Sequence, residues 1–195
     1  MIKYIKLQTF FSDVLKLSVG TIAGRLITIL ALPLITRLYT PEEFSLLAIY
    51  IAFVSTLSIA ACLRFDIAIP VVKRSLHACY LLILSIVSAF FIGITSLLLL
   101  YFFQDFLLKA VDLKYQDLFI FSVPIGIFAT AVYSTMQNYA TRKRKFNILA
   151  VTRMYQAIIS NSITIIFGLL FSGPWGLIVG SMANNGAGSL QLGIK

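Results

Sequence analysis

Along this chain, long apolar runs alternate with short polar connections. Six runs can be marked: Val14–Thr36, Phe44–Leu63 (with an alternative end at Val72), Ala78–Phe103, Leu118–Thr141, Met154–Phe171, and Trp175 to near the end. Each is close to the roughly 20 residues a helix needs to cross about 30 Å of hydrocarbon. Strands of a membrane barrel would alternate in segments of about 10 residues and leave a different pattern. The periodicity therefore predicts an all-α fold, a polytopic membrane bundle of about six helices. No linker-like or low-complexity stretch divides it, so residues 1–195 read as a single transmembrane domain.

Composition narrows the class further. Hydrophobic residues make up 59% of the 195 and charged ones 12%, against roughly 45–50% and about 25% in soluble domains. The mean hydropathy is +0.95. A cytosolic globular domain, a disordered chain and a secreted disulfide scaffold are excluded, because each would need far more polar surface. The two cysteines, Cys62 and Cys79, are isolated and have no metal-ligand spacing;.

The formal charge of +9 would point to nucleic acid in a soluble protein, but here the basic residues sit between the apolar runs. Lys3, Lys6 and Lys16 precede or open the first run, Lys73, Arg74 and His77 follow the second, and Arg142–Lys145 with Arg153 follow the fourth. The intervening connections are acidic, mixed or uncharged: Arg37 with Glu42 and Glu43; Asp105, Lys109, Asp112, Lys114 and Asp117; then Ser172–Gly173–Pro174. This alternation follows the positive-inside rule and predicts a multi-pass protein with both termini in the cytoplasm and no nucleic-acid partner. Lys6, Gln8, Ser12, Asp13 and Lys16 interrupt the first apolar stretch, so the first span is expected to stay as an anchor;.

Catalytic clusters are not evident. His77 is the one histidine, no carboxylate pair lies within a helical turn in any run, and no Gly-rich loop follows a strand. Neither an enzyme nor a cofactor is expected. The candidate chemistry lies in polar groups inside the spans, where a charge costs at least about 2.5–3.5 kcal/mol on insertion scales. Arg25 falls mid-run, and Ser18, Thr21, Arg25, Thr28 and Thr36 share one helical face;. Gly20 and Gly24 form a GxxxG pattern on another part of that helix and predict close helix contact;.

In the fifth run Arg153, Gln156, Ser160 and Thr164 repeat the stripe, with Asn161 beside them. The fourth run ends in Gln137, Asn138 and Thr141, and Pro124 with Gly126 marks a kink site;. Arg64 and Asp66 cannot share a helical face, since two residues are about 200° apart. Arg64 is a membrane charge if the second helix runs to Val72 and an interfacial one if it stops at Leu63. Polar faces on three helices predict an aqueous path with arginines as its fixed charges, and hence an anionic substrate such as a phosphate. The stretch Asn184–Asn185–Gly186–Ala187–Gly188–Ser189 is too polar to face lipid. It packs inside protein, lines a cavity, or marks a chain that ends early.

Arg37-Leu38-Tyr39-Thr40-Pro41-Glu42-Glu43-Phe44, after Leu32-Pro33-Leu34, resembles the start of bacterial polysaccharide flippases. These are the O-antigen and teichoic-acid exporters of the multidrug/oligosaccharidyl-lipid/polysaccharide superfamily. Arg64-Phe65-Asp66-Ile67-Ala68-Ile69 is similar to a pattern in their second span, and Gly176-Leu177-Ile178-Val179-Gly180 to the opening of their sixth. Ser45 stands where those proteins usually carry glycine.

The resemblance covers residues 13–183 and implies the N-terminal six-helix half of a twelve- or fourteen-helix exporter. Such a protein moves a lipid-linked oligosaccharide of the undecaprenyl-diphosphate type across the cytoplasmic membrane. Arg25 and Arg64 match cavity positions thought to meet the diphosphate, and Arg153, Gln156 and Asn161 complete the expected substrate contacts. Asp66 is the candidate for a coupling ion or an ion pair. The implied partners are that lipid, bulk membrane lipids, a second copy or a C-terminal half, and polysaccharide polymerase machinery. Two alternatives stand beside this reading: a cation-coupled multidrug exporter of the same superfamily, and a non-transporting scaffold of a polysaccharide synthesis complex.

Overall fold

The computed structural model describes residues 2–72, 74–103, 116–171 and 173–194, with side chains described over 15–72, 74–103, 118–171 and 173–192. Within these limits the chain is seven helices and no strand: α1 Ile2–Leu38, α2 Pro41–Ala61, α3 Phe65–Ala68, α4 Ser75–Phe102, α5 Gln116–Arg142, α6 Phe146–Leu170 and α7 Trp175–Ile194. The charged connection Asp105–Asp117 and the residues Lys3, Lys6 and Lys73 lie outside the described side chains. Six long helices fall on the six apolar runs, as the periodicity predicts.

Four of the helices are long and apolar enough to cross a bilayer by length and composition: 15–38, Pro41–Ala61, Ser75–Phe102 and 118–142. The polar residues of α6 and α7 lower their apolarity, and several of those groups are buried inside the bundle. The outer surface is apolar instead. Leu30 is 79% exposed, Phe102 75% and Leu98 47%. That distribution suits lipid as the solvent and would be a liability in water.

The helices pack in the order α1, α6, α7, α5, α4, with α2 filling the angle between α4, α5 and α7. The main apolar core lies at that second end, where Tyr50 and Val54 of α2 meet Val123 and Ile127 of α5, Ala89 of α4 and Ile178 of α7. At the other end a smaller apolar cluster, Ile35, Tyr39 and Leu177, is joined by close backbone contacts at small residues. A Cβ on Gly20 would lie 2.6 Å from the Ala150 Cα, and one on Gly24 would lie 3.0 Å from the Arg153 carbonyl oxygen. The GxxxG pattern thus seats α1 directly on the α6 backbone, as close-packed membrane helices require.

The α1–α2 turn is fixed by its own residues. Pro41 opens α2, Thr40 Oγ1 accepts from the Glu43 amide at 3.4 Å, and Glu43 Oε2 accepts from the Thr40 amide at 2.8 Å. This reciprocal pair is a capping box. Tyr39 then reaches across the bundle and donates to the Thr164 carbonyl at 2.7 Å, its ring lying against Gly168 and Gly176. Burial first, and the Glu43 carboxylate second, hold the Tyr39 hydroxyl above its usual range, so it stays a donor.

Of the two ends the sequence left open for the second apolar run, the structure takes the shorter. The helix stops at Ala61 and does not continue to Val72. Leu63 (φ 46°) and Arg64 (φ 60°) both occupy the left-handed region, which costs a side-chain-bearing residue about 1–2 kcal/mol. One short helical turn, α3, follows. Its neighbourhood is held by α5: Arg142 donates to the Ile69 carbonyl at 2.9 Å and also to the Val72 carbonyl.

Candidate functional site

Four helices converge on a polar cavity of about 250 Å³. α1 contributes Thr21, Arg25 and Thr28; α5 contributes Tyr133 and Gln137; α6 contributes Arg153 and Gln156; α7 contributes Asn184 and Asn185. Arg25 is exposed to it, and Arg153 is half-buried. The Arg153 Nε is buried without a hydrogen-bond partner. No aspartate or glutamate is among the lining residues. Two guanidinium groups with no counter-charge in the wall make the cavity electropositive, and their planar donor forks match a phosphate or carboxylate.

The rest of the wall is preset by internal hydrogen bonds. Gln156 Oε1 accepts from the Tyr133 hydroxyl at 3.1 Å, while its Nε2 donates to the Asn184 carbonyl at 2.8 Å. Both ends of this amide are engaged, so Gln156 braces α5, α6 and α7 together around the cavity. Asn161 lies deeper, off the cavity wall. Its Nδ2 donates to the Ala157 carbonyl at 2.7 Å and to Thr28 Oγ1 at 3.4 Å. The structure thus brings Arg25, Arg153 and Gln156 to one site and sets Asn161 behind it.

The polar stripes divide along their length. On α1, Thr21, Arg25 and Thr28 line the cavity, whereas Ser18 and Thr36 do not and are exposed. Gly24 lines it too, so the small-residue pattern and the polar stripe meet there. On α6, Ser160 Oγ donates to the Gly180 carbonyl at 2.8 Å, and the Thr164 side chain packs against Gly180 while its backbone carbonyl accepts from Tyr39. That lower half of the stripe is helix packing. Spacing alone could not separate the halves, because it reports a face and not the element opposite it. The polar end of α7 is helical and inward-facing: Asn184 and Asn185 line the cavity, and Asn185 Nδ2 donates to Thr130 Oγ1 at 2.8 Å. Of the three roles the sequence left open for the Asn184–Ser189 stretch, Asn184 and Asn185 take the cavity one; Tyr133 is a cavity residue that sequence reasoning did not place. The run of Asn184 and Asn185 in an apolar span was the signal for that stretch.

Arg64 and Asp66 belong to a second cavity, of about 290 Å³, between α2, the break after it and α5. Arg64 is exposed at the strained turn, and Asp66 is buried. The Asp66 Oδ2 accepts from Ser134 Oγ at 2.7 Å and from Asn138 Nδ2 at 3.3 Å. These neutral donors stand where an ion pair was one of the expectations. Ser134, Asn138 and Arg142 follow at i, i+4 and i+8 on α5, so one face of that helix clasps the whole 66–72 segment.

Both cavities lie toward the same end of the bundle, the one carrying the basic turn Arg142–Lys145. Arg153 is seven residues into α6, roughly 10 Å along the helix axis. Lys143 stacks on the Tyr139 ring at 4.6 Å in that turn. Among the described residues, no group of His, Cys, Asp and Glu is arranged to hold a metal ion.

Comparison with known proteins adds one finding. Residues 34–192 match the family described as "Polysaccharide biosynthesis protein". The match begins just before the Arg37–Phe44 stretch and takes in every candidate residue except Arg25. No curated protein and no solved structure matches the chain.

Proposed function

Because this chain belongs to the polysaccharide biosynthesis protein family, we propose that it carries a lipid-linked oligosaccharide of the undecaprenyl-diphosphate type across the cytoplasmic membrane. The supporting observation is the four-helix cavity, where Arg25 and Arg153 face a space whose lining includes no carboxylate. A diphosphate supplies the missing negative charge and fits the guanidinium forks. The isoprenoid tail stays in the bilayer, against the apolar outer surface. Transport requires no covalent step, and none is assigned to any residue.

The positive-inside pattern puts the basic turn and the N-terminus in the cytoplasm, so the cavity lies in the leaflet where such lipids are made. A second six-helix body, a C-terminal half or another copy, would cover the cavity on the side between α1 and α5. The engagement of Asp66 by Ser134 and Asn138 weighs against the drug-exporter alternative, which needs a carboxylate free to exchange an ion.

The test is made on the purified chain. Binding of undecaprenyl diphosphate is measured in nanodiscs, and movement of a fluorescent undecaprenyl-diphosphate glycan between leaflets is measured in proteoliposomes. Binding that weakens about tenfold or more in Arg153→Gln, together with leaflet exchange above protein-free vesicles, is the expected result. No binding removes the substrate assignment. Binding without exchange favours the scaffold.

A further inference from the structure

Two basic connections that are distant in the chain meet at one end of the bundle. α4 and α5 run antiparallel: the Phe90 and Phe128 rings are 6.3 Å apart, and Gly93 faces the Pro124 carbonyl. From Phe90 back to Ser75 is about 22 Å of helix, and from Phe128 on to Arg142 is about 21 Å. The start of α4 and the end of α5 are therefore level. Arg142 ties them together by donating to the Val72 carbonyl, just ahead of α4. Arg74 and His77 of one connection thus stand beside Lys143 and Arg144 of the other, and all four are exposed.

Among the described side chains, no carboxylate is exposed on this rim. Glu42 and Glu43 lie at the far end of the bundle, where Tyr39 meets Thr164, and Asp66 is buried against Ser134 and Asn138. Lys143 rests on the Tyr139 ring, a contact that holds the side chain and leaves its charge in place. Arg144 has left-handed backbone (φ 54°), a conformation that glycine adopts more easily. Beyond the rim the surface turns apolar. Leu76, Tyr80, Ile83 and Val87 follow at helical spacing along one face of α4, and all are exposed;.

We propose that this rim binds acidic glycerophospholipids of the surrounding bilayer. Their headgroups sit on Arg74, His77, Lys143 and Arg144, and their acyl chains lie along the α4 stripe. The occupant follows from the two features together. A soluble anion would use the charges and not the stripe, and a zwitterionic lipid would use the stripe and gain little from the charges. A headgroup of net negative charge uses both, through charge-assisted hydrogen bonds and attraction to clustered basic residues. Membrane orientation requires only that basic residues lie on one side. Arg142, acting as a positioning residue, makes one surface of two separate connections. No rim residue lines the arginine cavity, so this lipid is a resident neighbour, distinct from any cargo.

The test reads which lipid touches the stripe. Trp175, the single tryptophan, is replaced by phenylalanine, and Tyr80→Trp places a reporter on the stripe next to the rim. The purified full chain is put into vesicles of phosphatidylcholine and phosphatidylglycerol, with bromine on the chains of one lipid or the other to quench the tryptophan. Phosphatidylglycerol should be favoured at this position by about fivefold in relative association, the effect of roughly one basic residue near a charged surface. Arg74→Gln combined with Arg144→Gln should remove the preference. Unchanged quenching in pure brominated phosphatidylcholine then shows that α4 still faces lipid. Phe91→Trp, about 16 Å further along α4, should report no preference, and Arg153→Gln should leave the preference at Tyr80 intact. Equal quenching by the two lipids overturns the proposal, as does a preference that survives the double substitution or is equally strong at Phe91. Loss of the preference in excess inorganic phosphate would make the rim a site for soluble anions and overturn it too.

Discussion

Arg25 and Gln156 line the same cavity, yet their side chains are in opposite situations. Gln156 has both ends of its amide in protein hydrogen bonds, whereas Arg25 is exposed to the cavity. Substitutions should therefore separate function from stability. Arg25→Ala should abolish glycan-lipid transport while membrane abundance is kept, and Arg25→Lys should restore only part of it, because lysine keeps the charge and loses the fork. Gln156→Leu should lower thermal stability, by about 0.6 kcal/mol for each interhelical hydrogen bond it removes, measured as a shift in the melting profile in detergent. Arg25→Ala that lowered abundance while keeping specific activity would make the arginine a packing group. The sequence showed which residues are polar inside an apolar span. It did not show which of them were already partnered, and Asn161 and Gln156 could be told from Arg25 only once α5, α7 and Thr28 were in place.

At the level of helices, the legible features were those set by local chemistry. The six apolar runs and the GxxxG pattern were readable, because each depends on residues close to one another in the chain. The end of the second run near Leu63 was one of two readings left open, and the left-handed turn that makes it was not legible, since nothing local to Leu63 and Arg64 favours left-handed backbone. The reason is tertiary: Ser134, Asn138 and Arg142 lie 68 to 73 positions further along the chain from the groups they hold. The α1–α6 interface makes the sharpest prediction at this scale. α1 packs chiefly on α6, and a Cβ at Gly20 would collide with the Ala150 backbone. Gly20→Leu should therefore push α1 away, by more than the about 1–3 kcal/mol typical of core overpacking. Disulfide crosslinking between cysteines at Thr28 and Asn161, whose side chains touch in the native protein, should fall with it. Undiminished crosslinking would mean that α1 can slide and reseat.

For the molecule as a whole, orientation and the open cavity are linked, because the basic turn marks the end at which both cavities lie. With Cys62 and Cys79 replaced by serine, a cysteine at exposed Glu42 should react with an impermeant thiol reagent in intact spheroplasts, and one at exposed Arg144 should not;. The reverse labelling would put the cavities in the outer leaflet. The open cavity itself sets an energetic problem. Arg25 and Arg153 face a space bounded by α1 on one side and α5 on the other. Left to lipid, each charge costs at least about 2.5–3.5 kcal/mol on insertion scales. Snorkelling toward the nearby basic end relieves part of this for Arg25, but Arg153 Nε is already enclosed. The chain expressed without a covering body should therefore turn over quickly. Removing both charges, in Arg25→Leu with Arg153→Leu, should lengthen its half-life in a pulse-chase measurement. A polar cavity covered by a second six-helix body reverses the sign, because the same substitutions would then place apolar side chains in water. Equal half-lives for the two chains would mean that the arginines are satisfied within this bundle, and the anion-binding role of the cavity would fall with that result.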